Sequence, residues 1–194
     1  MLPIKCVILG NGNVGKTTLI QTYLNGTYTP PPLFSCGHYL TKAQCMTGEY
    51  LDILLCDTKG AKEFDRINRL SYPNTDVFVI CFSVDRPDDL CYVHLKWLPE
   101  IREHCPGSVP IILVATKVDM RNAIQETPRR WCVTKEQGRR MAKMIEATYY
   151  IECSAMDDEF YGVSDVFNAA VSCGLDYRNN DSFNRKKKRK CVIL

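Results

Sequence analysis

Three histidines in 194 residues, and 11 cysteines without one Cys-x-x-Cys pair, leave little material for a metal centre built on nitrogen and sulfur. A zinc site or a disulfide framework is excluded on that ground, since both need paired or regularly spaced ligands. No apolar run reaches the ~20 residues that would cross a bilayer, and no segment repeats. The opening Met1-Leu2-Pro3-Ile4-Lys5 lacks the basic and then apolar stretches of a leader. The expectation is therefore a chain without a signal peptide, in the reducing cytosol. Free thiols fit that compartment. Cys6, Cys56, Cys81 and Cys153 lie in apolar strand-like runs, where a thiol behaves as a small buried hydrophobe.

Excess charge is missing from most of the chain as well. The net charge is +3, yet Arg185 to Lys190 is an unbroken run of six basic residues, which leaves the rest at −3. With 45% hydrophobic residues and this length, one domain with a good core is expected. Short apolar runs alternate with amphipathic segments. Strands are expected at Ile4–Leu9, His38–Met46, Tyr50–Cys56, Val77–Ser83, Ile111–Ala115 and Tyr149–Cys153, the second and third forming a hairpin that turns at Thr47-Gly48. Helices are expected at Lys16–Leu24, Asp88–His104, after Thr134, and at Val163–Leu175. Thr134 with Gln137 three residues on is a capping-box pattern. Such alternation implies right-handed βαβ units: an α/β fold whose six-stranded, mostly parallel sheet carries one antiparallel edge strand and helices on both faces. The domain is expected to cover residues 1–177, with residues 178–194 a flexible tail.

Gly10-Asn11-Gly12-Asn13-Val14-Gly15-Lys16-Thr17 fits G-x-x-x-x-G-K-[ST] and lies between a strand and a helix, the context that motif needs. Glycines let backbone N–H groups turn inward around phosphate oxygens, and the following helix adds its positive end. Lys16 is the candidate catalytic residue, neutralising the β- and γ-phosphates. Thr17 would ligate Mg²⁺, and Thr18 completes the loop contacts. Four fixed positions match by accident on the order of 1% of the time in a chain this long. Thr116-Lys117-Val118-Asp119 ends another strand, at the edge where open α/β sheets bind ligands. A carboxylate there accepts two hydrogen bonds from guanine N1–H and the 2-amino group, donors that adenine does not offer together. T-K-x-D is a weak signal alone, and gains force from the phosphate loop and from Ser154-Ala155 at the last strand end.

With these motifs the chain resembles the small GTPases, and within them the Rho/Rac branch. Leu70-Ser71-Tyr72-Pro73, Thr75-Asp76-Val77-Phe78, Trp97-Leu98-Pro99-Glu100 and Glu152-Cys153-Ser154-Ala155 look like Rho-family stretches in the same order. The resemblance implies a P-loop small G-domain binding GTP or GDP with Mg²⁺. It implies that Asp119 reads the guanine, that the Lys117 stem packs on the base, and that the Ala155 N–H meets O6. Tyr28 would supply an aromatic edge, and Ser35 would join Thr17 as a Mg²⁺ ligand. Asp57-Thr58-Lys59-Gly60 matches D-x-x-G, where Asp57 holds Mg²⁺ through water and Gly60 senses the γ-phosphate. A short helical insert fits within Asn122 to Trp131, limited by Pro128.

Departures from that pattern carry their own expectations. Ala61 stands where the family has the glutamine that orients the attacking water, and Lys59 stands where it has alanine, so hydrolysis should be slow or absent. Thr29-Pro30-Pro31-Pro32 stiffens the first switch. Cys36-Gly37-His38-Tyr39-Leu40 replaces the residues that grip family effectors, and His38 is given no catalytic role. At the far end, Cys191-Val192-Ile193-Leu194 is a C-a-a-X ending whose final Leu favours geranylgeranylation. With the basic run it supplies the two signals that stable membrane anchoring takes. The expected function is a membrane-tethered signalling switch of the cytoskeletal, polarity or trafficking kind. It would sit on the cytoplasmic face of membranes, chiefly the plasma membrane, with a cytosolic pool. Partners would be guanine nucleotide, anionic lipid, exchange factors, a dissociation inhibitor and effectors, but no nucleic acid, since the run has no interleaved aromatics. A non-cycling nucleotide-bound scaffold is the alternative. A P-loop kinase is the third, and the guanine reader argues against it.

Overall fold

The computed structural model describes residues 2–30, 37–105, 107–123, 131–156 and 159–190, with side chains described as far as residue 180. Six strands form one sheet: β1 (Ile4–Leu9), β2 (Gly37–Gln44), β3 (Tyr50–Asp57), β4 (Val77–Ser83), β5 (Ile111–Thr116) and β6 (Tyr149–Glu152). Their order is β2-β3-β1-β4-β5-β6, and only the β2–β3 pair is antiparallel. The α/β expectation holds in full, and each strand lies within two residues of its expected bounds.

Alternation along the central strands sorts the core into two layers, because successive side chains leave a sheet on opposite faces. Cys6, Ile8, Val77, Val79, Cys81, Ile112 and Val114 face one layer. Against them pack Leu19 and Ile20 of α1 (Lys16–Asn25), with Val166, Phe167 and Ala170 of the last helix. Val7, Leu9, Phe78, Ile80, Phe82 and Leu113 face the other. There they meet Trp97, Leu98 and Ile101 from the helical stretch after β4, and Met141 and Ile145 at the end of the helix before β6. Helices thus cover both faces. The four cysteines expected in the core are all buried, and burial pushes the Cys56 thiol up to about 11 and Cys81 up to about 12.

Short helices fill the connections: α2 (Asp65–Asn68) between β3 and β4, and α5 (Met120–Ala123) after β5. The stretch expected as one helix at 88–104 is instead three pieces: α3 (Pro87–Tyr92), a π-helical stretch (Val93–Trp97) and α4 (Leu98–His104). Pro99 has no N–H to give to the turn before it, and the wider register there absorbs the missing bond. The capping box opens α6 (Lys135–Met144): Gln137 N–H donates to Thr134 Oγ1 at 3.2 Å, and Thr134 N–H to Gln137 Oε1 at 2.8 Å. Such a cap stabilises a helix by about 1 kcal/mol.

The last helix, α7 (Val163–Lys190), is longer than the expected Val163–Leu175. Apolar packing ends near Leu175, but Arg178 then fastens the next turn. Its Nε donates to Asp76 Oδ1 at 2.7 Å and its Nη1 to the Leu2 carbonyl at 2.6 Å. A charged residue read as the first of the tail is therefore tied to the domain. The insert expected within 122–131 falls largely outside the described residues.

Candidate nucleotide site

Parallel strands end level on one edge of the sheet, and registers put the candidate residues there together. Ile8 of β1 pairs with Asp57, Leu9 with Ile80, Ser83 with Thr116, and Ala115 with Glu152. The phosphate loop leaves β1 at this edge and turns into α1 through Gly15, whose φ of +95° is open to glycine at little cost. Lys16 is buried beneath the loop, donating from Nζ to the carbonyls of Gly10 at 2.7 Å and Asn11 at 2.8 Å. Burial lowers its amine below the ordinary lysine range, against the pull of nearby acidic groups that include Asp57 and Asp89.

Across the loop, Thr17 Oγ1 donates to Asp57 Oδ2 at 2.6 Å. Asp57 is 6% exposed, and its buried Oδ1 has no hydrogen-bond partner among the described residues. Burial raises its carboxyl above the usual range, opposed by the Thr17 bond and by Lys16. An orphaned buried carboxylate oxygen beside a hydroxyl is a donor set for a hard cation. Mg²⁺ takes one or two carboxylates with hydroxyl, phosphate and water oxygens rather than a cage of side chains. Among the described residues no group of three or more His, Cys, Asp or Glu is placed to hold a metal ion. Asp57 and Thr17 would hold the ion, which supplies charge neutralisation between phosphates when bound. Ser35, the other expected ligand, lies outside the described residues.

At the other end of the cleft, Thr116 is buried and its hydroxyl bridges the Val14 carbonyl at 2.5 Å and the Phe82 carbonyl at 3.0 Å. Lys117, at φ +58°, reaches from Nζ to the Asn13 carbonyl at 2.8 Å. Both residues thus tie the T-K-x-D turn to the phosphate loop. Ser154 Oγ donates to Asp119 Oδ1 at 2.6 Å, and Val118 N–H to the Cys153 carbonyl at 3.3 Å. The serine fixes one carboxylate oxygen and so sets the plane in which the other meets a base. Ala155 follows in the same turn, and Tyr28 stands 38% exposed beyond α1.

A sequence model of the Ras family matches residues 5–173, nearly nine-tenths of the chain. The chain belongs to the Ras family. It is a small GTP-binding protein, and GTP or GDP with Mg²⁺ are the ligands that family takes.

The D-x-x-G segment carries two of the departures expected from the sequence, at Lys59 and Ala61. Thr58 anchors it to β1 through its hydroxyl on the Ile8 carbonyl at 2.6 Å. Asn68 clamps both backbone groups of Lys59, accepting at 3.2 Å and donating at 2.6 Å. The Lys59 ammonium lies over the Phe64 ring, 4.1 Å from its centroid. Gly60 abuts the Asn11–Gly12 peptide so closely that a Cβ would overlap its backbone atoms. Ala61, next along, is exposed.

Sequence reasoning missed four residues that shape this cleft. Arg121 donates to Glu152 at 2.8 Å and to the Val133 carbonyl at 2.9 Å, drawing together the turn after β5 and the end of β6. Burial raises the Glu152 carboxyl, but hydrogen bonds from Arg121 and Tyr150, with the charges of Arg121 and Lys135, outweigh it and hold it below the usual range. Arg86 and Asp89 brace the phosphate loop from the turn and helix that follow β4. No motif flags Arg121, Arg86 or Asp89, and the stretch that holds Glu152 gives no sign of its pairing, since each acts through a contact between segments distant in sequence. Cys191, the candidate lipidation site, lies outside the described residues.

Proposed function

We propose that this Ras-family chain is a Rho-like, membrane-tethered switch that binds GTP and hydrolyses it slowly. Ala61 carries the hydrolysis reading. It directly follows Gly60, the residue packed on the phosphate loop, and its methyl group offers no donor or acceptor to a water attacking the terminal phosphate. Small GTPases gain about 10⁵-fold from activating partners, much of it transition-state stabilisation that works together with the water-orienting glutamine the family has at this position.

Support for the Rho-like branch comes from its four signature stretches, which occupy structural brackets here. Tyr72 is buried and donates to Glu100 at 2.7 Å, Trp97 is buried in the core, Asp76 accepts from the Lys5 N–H at 2.7 Å, and Glu152 pairs with Arg121. The membrane reading rests on sequence: Cys191 with six preceding basic residues. Each base near an anionic leaflet contributes about 1 kcal/mol, and one prenyl chain alone binds marginally.

Single-turnover GTP hydrolysis tests the first part. Ala61→Gln, combined with Lys59→Ala, should accelerate the reaction by at least about tenfold when an activating protein of the Rho branch is added. A wild-type rate already normal for the family would overturn the slow-switch reading. Fractionation of cells tests the second part: Cys191→Ser should move the protein wholly to the cytosol, and retention at the plasma membrane would remove the tail from the reading.

A further inference from the structure

Three groups converge on residues 10 to 12 of the phosphate loop, and the D-x-x-G motif and the loop motif explain only two of them. Lys16 binds the carbonyls of Gly10 and Asn11, and Gly60 packs on the Asn11–Gly12 peptide. The third is Arg86, whose Nη1 donates to the Gly12 carbonyl at 2.7 Å.

Arg86 is put there by the turn between β4 and α3. Its N–H bonds the Ser83 carbonyl at 3.1 Å, and Pro87 behind it disfavours a helical backbone, so Arg86 stays extended at φ −134°, ψ 86°. Asp89, two residues past the proline, is 2% exposed and accepts from Asn11 Nδ2 at 2.9 Å. Its other oxygen, Oδ2, lies 3.4 Å from Arg86 Nε but makes no hydrogen bond among the described residues. The buried carboxylate thus holds the stem of the guanidinium against the loop, while 44% of the arginine side chain remains exposed.

Because Gly60 is the residue that reads the terminal phosphate and meets the loop at Gly12, a guanidinium on the Gly12 carbonyl stands at the terminal-phosphate end of the cleft. We propose that Arg86 contacts the terminal phosphate of bound GTP from within the same chain. The proposal rests on the GTP-binding reading above. A neutral carbonyl is a weak partner for a guanidinium, and a phosphate oxygen is a stronger one, since charge-assisted hydrogen bonds are about twice as strong as neutral ones. Moving the fork from the carbonyl to phosphate needs rotation of exposed side-chain bonds only, with Asp89 keeping the charge in place.

In hydrolysis, the water oxygen bonds to the γ-phosphorus and the bond from that phosphorus to the bridging oxygen breaks. The electron pair stays on GDP, and the water proton ends on inorganic phosphate or solvent. Arg86 would neutralise the charge that builds on the bridging and terminal oxygens, as cis-acting arginines do elsewhere. It does nothing to orient the water. Ala61 and Arg86 would therefore act on different parts of the barrier: one orientation is lost, one charge is kept. A bound GTP that is held firmly and cleaved slowly is the result.

Affinities for fluorescent GDP and for a non-hydrolysable GTP analogue, measured on the full-length protein with Mg²⁺, distinguish this role from simple bracing. Arg86→Ala should weaken the GTP analogue by about tenfold and leave GDP within about twofold. Arg86→Gln, which keeps a donor for the Gly12 carbonyl and removes the charge, should do the same, and it carries the test if the alanine variant fails to fold. Arg86→Lys should recover part of the lost affinity. The wild type should also form a GDP–aluminium fluoride complex without a partner protein, and Arg86→Gln should not. Equal weakening of both nucleotides, or no change in either, would overturn the proposal and leave guanine binding intact. A wild type that binds neither nucleotide would instead overturn the GTP-binding reading itself.

Discussion

At the end of the cleft that carries the T-K-x-D turn, two carboxylates are each fixed by another side chain, Ser154 on Asp119 and Arg121 on Glu152, and Lys117 ties the turn to the Asn13 carbonyl. At the other end, the segment around Lys59 and Gly60 is held through its backbone. Asn68 grips the peptide of Lys59, Gly60 lies on the Asn11–Gly12 peptide, and the residue after it is an exposed alanine. A preformed site binds with little ordering cost, so the first end is built to select a base and keep it. The second end can sense a phosphate, but it has no side chain at position 61 that would aim a water. Binding and turnover are therefore separable in this chain, and substitutions at the two ends should have different signatures.

The largest effect is expected from Asp119→Asn. Guanine presents two donors to the carboxylate, and the amide replaces one acceptor with a donor, so two donors face each other in a partly buried turn. Such a mismatch costs about 2–3 kcal/mol, on the order of 100-fold in GDP and GTP affinity. Xanthine nucleotides, with an acceptor where guanine has its amino group, should gain. Competition binding with GDP, ADP and xanthosine diphosphate measures it. Equal affinity of the wild type for GDP and ADP would erase the contrast between the two ends.

Legibility in the sequence follows the same division. Strand edges were readable because β1 and β4 are buried on both faces and read as unbroken apolar runs, and β1 and β4 fall within the expected bounds to the residue. The phosphate loop and T-K-x-D were readable because their chemistry is local: a few adjacent residues make the whole contact. Arg86 and Asp89 were not, since their partners lie 74 and 78 residues away in sequence. A charged residue next to a proline carries no sign of what it will meet. The helix after β4 was legible as helix but not as a helix with a π-helical turn, because that depends on how Trp97 settles into the core two residues before Pro99. The extension of α7 was missed because Arg178 gains its role only once Asp76 is beside it.

A smaller effect, of opposite sign for stability and for ligand, is expected at Asp57. Its carboxyl is raised above the usual range by burial. The folded chain therefore binds that proton more tightly than the unfolded chain does, and stability falls as pH rises through the unfolded value, ~3.9, to the higher folded one. Above the folded value the full cost of a buried charge is present. In protein stripped of nucleotide and Mg²⁺, Asp57→Asn should raise stability at pH 7 by about 1 kcal/mol, about 2–4 °C in Tm for a chain of this length, and the gain should vanish in acid. Thr17 keeps a hydrogen-bond acceptor in the amide, so the loop need not move. With ligand the sign reverses. Mg²⁺ should slow GDP release from the wild type, and a chelator should speed it, whereas release from Asp57→Asn should be fast and indifferent to both. If Mg²⁺ still slows release from the variant by the wild-type factor, the orphaned oxygen of Asp57 is not where the ion is held. The terminal-phosphate end would then depend on residues outside this pair.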